Sequence, residues 1–215
     1  MRERYIDLAR ELADDLAIEV STPEFEIATA LLDLREATPK ELSRLTRLSS
    51  TAFYRLLNDL RKRDVLDASQ SGEDGRSKLY SLTPWARRKI LGQFKRYRNS
   101  DVEAFNSLGM QRAKLEAQAN VITRSVFISH LTCEYQILVY LFIRPGLANS
   151  EFYDIVDVSA TKFNNSLVDL AKRGLIYSER DPKDRRRRRY FLSDDVKSRL
   201  EVFHKKVYDW LARHS

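Results

Sequence analysis

The sequence predicts a mainly helical chain with small β-hairpins, built as two like halves in tandem. Three observations carry that prediction. Gly and Pro are scarce, 6 and 5 in 215 residues, while Ala, Leu, Arg, Lys and Glu are common, which favours helix. The central part of the chain matches itself without a gap at an offset of 110 positions. Lastly, a basic stretch from Asp181 to Tyr190 stands between two apolar pairs, Leu175-Ile176 and Phe191-Leu192. From Arg180 to Arg189 it holds seven basic residues against two acids. A solvated tail or an import signal would not need the apolar flanks. An Asp-Pro turn between two β-prone runs reads as a hairpin tip, which holds the charge on a fixed projection suited to a polyanion.

The repeat is specific. Thr22-Pro23-Glu24-Phe25 falls on Thr132-Cys133-Glu134-Tyr135, Leu31 on Leu141, Glu41 on Glu151 and Leu45 on Ile155. Phe53, Leu57 and Leu60 fall on Phe163, Leu167 and Leu170, and Lys62-Arg63 on Lys172-Arg173. Asp74, Arg76, Lys78, Tyr80 and Leu82 then fall on Asp184, Arg186, Arg188, Tyr190 and Leu192. Leucines alone can coincide by chance, but the Asp-x-Arg-x-basic-x-Tyr-x-Leu spacing does not. A period this long means tandem domains, divided here as residues 1–107 and 108–215.

Taken in order, residues 3–20 place Tyr5, Leu8, Ala9, Leu12, Leu16 and Val20 on one stripe of a long helix. Thr22 caps the next helix, with Pro23 where a missing N–H costs nothing, and Phe25, Ala28, Leu31, Leu32 and Leu34 fill its core side. Thr38-Pro39-Lys40-Glu41 is a capping box that opens a short helix through Leu45. Ser49-Ser50-Thr51 launches a helix with Phe53, Leu56, Leu57 and Leu60 on its buried side. Residues 65–68 and 78–82 read as strands around turn residues 71–76, and Thr83-Pro84 starts a helix with six basic residues and no acid between Ala86 and Arg98.

The second half runs likewise. A long helix at residues 110–129 carries Leu115, Ile122, Val126 and Phe127. A helix from Glu134 to Ile143, a short one over residues 149–156 and a third capped by Ser159-Ala160-Thr161 follow. After the basic hairpin, Ser193-Asp194-Asp195 caps a closing helix with Leu200, Phe203, Val207, Trp210 and Leu211.

The whole composition sets bounds. The formal charge is +7, with 32% charged and 43% apolar residues, as in a folded protein with a basic surface. No apolar run approaches the roughly 18 residues of a membrane span, and Met1-Arg2-Glu3-Arg4 does not open a signal peptide. The single cysteine, Cys133, excludes an internal disulfide and fits a reducing compartment. A cytoplasmic, nucleoid-associated protein with no membrane contact is expected.

Helix, short helix, turn, helix and two-stranded hairpin is the order of the winged helix-turn-helix. The fold class expected is therefore mainly α with small β-wings, as two such domains in tandem with long dimerisation-type helices. Leu131-Thr132 with Gln136-Ile137-Leu138, the run from Leu167 to Ile176, and Arg180-Asp181-Pro182-Lys183-Asp184-Arg185-Arg186 resemble the multiple-antibiotic-resistance regulator (MarR) family. The first half resembles it more loosely, through Arg55-Leu56-Leu57-Asn58-Asp59-Leu60 and Asp74-Gly75-Arg76. Members are usually one unit per chain and work as homodimers; this chain departs by carrying two units.

A helix fits the major groove with its N-terminal residues at base edges. Those residues are Ser50, Thr51, Tyr54 and Arg55 in the first half, and Thr161, Lys162, Asn164 and Asn165 in the second. Ser49 and Ser159 are expected to cap, and Phe53 and Phe163 to belong to the core. In the wings, the resemblance implies that Arg76 and Arg186 enter the minor groove, with Asp74 and Asp184 orienting them by a charge-assisted bond. Lys78 and Arg188, two residues on, share their face. Arg185 belongs to the same basic hairpin; with Arg187 and Arg189 it can also point elsewhere.

Other chemistry has little support. His130, His204, His214 and Cys133 offer no paired metal spacing, and no phosphate loop, nucleophile elbow or paired catalytic carboxylate is present, so no enzyme, cofactor or metal is expected. Cys133 beside Glu134 reads as packing in preference to redox sensing. The resemblance implies a small aromatic effector, for which Trp85, Phe127, Tyr135 and Tyr140 are candidates, though each also fits a core position.

The function expected is a sequence-specific regulator of transcription bound to double-stranded DNA. The alternative is a protein-interaction or architectural module that binds nucleic acid without sequence choice. Because both ends carry apolar helices, the expected assembly is a single-chain pseudo-dimer with recognition helices about 34–36 Å apart, the alternative being a homodimer.

Overall fold

Helix starts follow side-chain caps. Thr22, Ser49, Thr132 and Ser159 each accept a backbone N–H three residues on, from Phe25, Ala52, Tyr135 and Lys162, at 3.3–3.4 Å. Each satisfies one of the N–H groups that a helix leaves open at its first turn. Thr38 and Glu41 close the expected box: Glu41 accepts from the Thr38 N–H at 2.7 Å, and Thr38 accepts from the Glu41 N–H at 3.3 Å. These bonds, the backbone one foremost, hold the Glu41 carboxyl below its ordinary pKa. Ala148 stands where Thr38 stands one repeat earlier, so only the backbone half remains, Ala148 N–H to Glu151 at 2.7 Å.

The computed structural model describes residues 5–71, 77–99, 131–153, 156 and 158–213. Their contacts divide them into one unit of residues 21–99 and another of residues 5–20 with 131–213. The helix expected at residues 110–129 lies outside the described residues, as do the hairpin tip 72–76 and the side chains of Tyr5, Trp210 and Leu211.

In the unit of residues 21–99 the order is α2 (Pro23–Leu34), β1 (Glu36–Ala37), α3 (Pro39–Ser43), α4 (Ser50–Lys62), β2 (Leu66–Ser71), β3 (Ser77–Leu82) and α5 (Pro84–Asn99), with α1 (Tyr5–Leu16) ahead of it in the chain. The strands form one antiparallel sheet in the order β1-β3-β2. Phe25, Leu31, Leu42, Phe53, Leu57 and Leu60 are almost wholly buried. Each such side chain stabilises the fold by about 1.5–3 kcal/mol relative to exposure. Leu34, expected in that core, is 47% exposed, because the helix ends there and Arg35 turns into positive φ.

The other unit holds α1, α6 (Cys133–Ile143), β4 (Leu147–Ala148), α7 (Asn149–Tyr153), α8 (Ala160–Lys172), β5 (Ile176–Arg180), β6 (Arg188–Leu192) and α9 (Asp194–Arg213). Its sheet runs β4-β6-β5, again antiparallel. The register keeps the offset of the sequence: Leu66 pairs with Leu82 as Ile176 with Leu192, and Ala37 with Tyr80 as Leu147 with Tyr190. Asp64 and Gly174, also 110 apart, both take positive φ, 57° and 70°, at the end of α4 and of α8. Strands β1 and β4 were not expected. Two residues each are too short to show an alternating pattern.

The sequence pattern places residues 3–20 in one helix and with the first half. Instead α1 stops at Leu16, with Ala17 at φ 51°, and packs against α9. Apolar residues Leu8, Leu12 and Phe203 meet there, and Lys206 pairs with Glu11. Arginines from the same unit close the end of α1. Arg173 donates to the Leu16 and Ala17 carbonyls at 2.6 Å each, and Arg199 donates to that of Asp15 at 3.0 Å. Cations at a helix C-terminus satisfy its open carbonyls and suit its dipole.

Candidate nucleic-acid interface

α4 is amphipathic. Phe53, Leu57 and Leu60 are buried, as expected for Phe53, while Ser50, Thr51, Tyr54 and Arg55 are exposed. Ser49 caps by accepting from Ala52, so the free N-terminal face belongs to the next residues. Tyr54 keeps 52% of its surface in solvent, and its ring stands edge-on to Phe53 at 5.4 Å. That contact stiffens a side chain with a hydrogen-bonding tip.

α8 repeats the arrangement. Phe163, Leu167 and Leu170 are buried, and Thr161, Lys162, Asn164 and Asn165 are exposed. Asn164 is not wholly at liberty: its Oδ1 accepts from Asn149 Nδ2 at 3.4 Å, across from the start of α7. Thr161, Lys162 and Asn165 border an open cleft of about 430 Å³ with Ser159, Ser166, Glu134 and Asp169. Burial pushes the Glu134 carboxyl above its ordinary pKa, against the pull of Arg173. Cys133, next to it, is buried, and burial raises its thiol pKa despite a hydrogen bond with Ser166. A raised thiol is a poor nucleophile, in keeping with packing.

The two units use the same arginine differently. Arg63 stands at ion-pair distance from Asp59, 3.2 Å, and from Glu24, 3.3 Å. Its counterpart Arg173 keeps the partner on its own helix, Asp169, at 3.1 Å, but turns its other nitrogen to the end of α1. Glu134, the counterpart of Glu24, therefore lacks that ion pair.

In the hairpin between β5 and β6, the five consecutive arginines separate. Asp181 is buried and organises the tip: one carboxylate oxygen accepts from the Lys183 N–H at 2.8 Å, the other from Arg189 Nε at 2.8 Å. These contacts, the backbone one first, hold its carboxyl below the ordinary value. Arg189 also donates to the Gly146 carbonyl at 2.8 Å, which ties the hairpin to the residue before β4. Arg188 reaches Ser178 Oγ at 3.3 Å. Arg185 and Arg186 are exposed, and neither guanidinium has an acidic partner among the described residues.

One expected contact is corrected. Asp184 was expected to orient the Arg186 guanidinium. It accepts instead from the Arg186 backbone N–H at 3.1 Å, and its ion pair is with Arg187 at 3.4 Å. The tight turn brings the neighbouring side chain to the carboxylate, so Asp184 shapes the backbone beneath Arg186. Asp181 and Arg189 were missed as a pair; the eight-residue separation shows no local period, and only hairpin closure joins them. Of the corresponding residues in the first unit, Asp74 and Arg76 lie outside the described residues, while Lys78 is exposed on β3.

The aromatic candidates for an effector fall apart. Phe127 lies outside the described residues; Tyr135 is fully buried, edge-on to Phe203 at 6.1 Å; Trp85 and Tyr140 are half-buried. None of them lines the cleft beside α8 or the groove of about 220 Å³ between α1 and α9. Among the described residues, no cluster of three or more His, Cys, Asp and Glu side chains is placed to hold a metal ion. Nor is any described helix long and apolar enough to cross a membrane.

Residues 21–86 match the family described as winged helix DNA-binding domain. That span covers α2 to β3 and the first turn of α5, so the chain carries a winged helix DNA-binding domain there. No curated protein matches the chain. Among solved structures it is similar to a MarR family transcriptional regulator from Silicibacter pomeroyi DSS, at 19% identity over 56% of this chain and 77% of that one, with a TM-score of 0.34. It is also similar to Lactococcus lactis ZitR in apo form, at 17% identity over 55% and 88% of the two chains, with a TM-score of 0.32.

Proposed function

We propose that the chain is a sequence-specific DNA-binding regulator of transcription, in which two winged helix-turn-helix units stand in tandem. α4 and α8 enter the major groove, and the hairpins carry arginine to the minor groove. The observation that carries this reading is the winged helix DNA-binding match over residues 21–86, whose α4 presents Ser50, Thr51, Tyr54 and Arg55 to solvent above a buried apolar face. The second unit supports it by repeating the strand register at the same offset, by exposing Thr161, Lys162, Asn164 and Asn165, and by setting Arg185 and Arg186 free on a braced hairpin. Asn pairs well with adenine and Arg with guanine. Since Tyr54 and Arg55 differ from Asn164 and Asn165, the two half-sites are unlike.

The test is competition between a duplex selected from random sequence and the random pool. Preferential binding of the selected duplex is expected. Asn165→Ala should relax the preference at one or two base pairs of one half-site, by about 1–3 kcal/mol, while leaving the other half-site intact. Equal affinity for the selected and random duplexes would instead favour an architectural module that holds phosphates without reading bases.

A further inference from the structure

The exposed stripe of α8 extends beyond the residues just assigned. Thr161, Asn164, Asn165 and Val168 fall at i, i+3, i+4 and i+7 and so share one face. Val168 is 54% exposed. In α4 the same spacing joins Thr51, Tyr54 and Arg55 to Asn58, which is exposed as well. Homeodomain recognition helices address successive bases with this spacing.

Neither residue is explained by stability. Val and Asn are both weak helix formers, and a solvent-facing position in mid-helix favours Ala, Lys, Glu or Arg. The acid next to Val168, Asp169, borders the cleft with Thr161 and Asn165, and its charge is offset there by Arg173 at 3.1 Å. One turn farther along each stripe stand Lys62 and Lys172, both exposed, where a phosphate would lie if the helix sat in a groove.

We propose that positions 58 and 168 are a further base-reading position of each recognition helix. Val168 packs on the C5-methyl group of a thymine, and Asn58 bonds the edge of an adenine. The chemistry follows from the groove: thymine's methyl is the one apolar group displayed there, and a branched aliphatic side chain recognises it without any hydrogen bond. This rests on the reading of α4 and α8 as major-groove helices.

The experiment uses the full chain and a duplex selected from random sequence. Each thymine in the half-site read by α8 is replaced in turn by uracil, which removes only the methyl group, and affinity is measured by fluorescence anisotropy at fixed salt. One replacement should weaken binding about four-fold, the worth of a single buried methyl-sized group. Val168→Ala, which loses both γ-methyl groups, should bind the thymine and uracil duplexes equally, and Val168→Thr, which keeps one γ-methyl, should retain the discrimination. Asn58→Ala should lose its preference for adenine at one pair of the other half-site, from about five-fold upward. Thermal melts of the variants confirm that the fold is intact, as expected for changes at exposed positions. A selected site with no sensitivity to uracil, or with a sensitivity that survives in Val168→Ala, overturns the assignment of Val168 and leaves the DNA-reading function standing. Failure to select any preferred site overturns both.

Discussion

Of the five arginines from Arg185 to Arg189, the last is turned inward. Arg189 holds buried Asp181 and the Gly146 carbonyl, whereas Arg186 is exposed on a turn shaped by Asp184. Replacing the two should therefore have opposite signatures. Arg186→Ala should leave the denaturation midpoint unchanged, weaken binding to every duplex, and flatten the salt slope by about one phosphate contact. Arg189→Ala should lower the midpoint, because it strands a buried carboxylate. Asp181 also makes the second hairpin acid-sensitive. Its pKa lies below the ordinary Asp value of 3.8 in the folded chain, so its contribution is present above that value and is lost as pH falls through the lower, folded one. Urea midpoints measured on a descending pH series should show Asp181→Asn losing less stability than the wild type over that window.

Among the elements, the ends of α4 and α8 differ in one informative place. Both helices are left through positive φ, yet one position is Asp64 and the other Gly174. A Cβ at Gly174 would meet nothing within 4 Å, so Gly174→Ala measures backbone strain alone, about 1–2 kcal/mol in a thermal melt. Asp64→Gly should move the other way, by a smaller amount, because glycine relieves that strain at an entropic cost in the unfolded chain. α1 depends on the second unit for its end. Arg173→Ala should speed amide exchange in α1 and cost roughly 1.5–3 kcal/mol, the range of hydrogen bonds from a charged group. Arg63→Ala removes pairs at 3.2 and 3.3 Å from partly exposed acids and should cost about 1 kcal/mol or less.

For the whole molecule the open quantity is the number of chains on the DNA. We propose a pseudo-dimer, a reading supported by the pairing of α1 with α9 inside one unit, the two helices whose apolar stripes the sequence assigns to assembly. Light scattering of the free protein and of its complex with a selected duplex should give one chain of 25.2 kDa per duplex. A mass of about twice that in the free protein at low micromolar concentration would replace the pseudo-dimer with a homodimer of four winged units.

Much of this was legible in the residues. Caps at Thr22, Thr38, Ser49 and Ser159 are local chemistry, fixed within three positions, and the buried faces of α4 and α8 follow from helical spacing. The 110-residue offset extends to strand register, because register is set by which side chains alternate inward. The exposed residues of α4 and α8 are simply those the core stripe leaves over. What only the folded chain decided depends on contacts between distant residues. Ala17 carries no sign that a helix stops there; Arg173, 156 residues away, donates to its carbonyl. Strands β1 and β4 exist because β3 and β6 offer an open edge, not because two residues prefer to be extended. Arg189 and Asp181 look like any members of a charged run until the hairpin closes and buries the acid. A sequence records which groups can pair, and the tertiary structure gives the nitrogen of Arg173 that Asp169 does not hold to the Leu16 and Ala17 carbonyls at the end of α1, whereas that of Arg63 goes to Glu24.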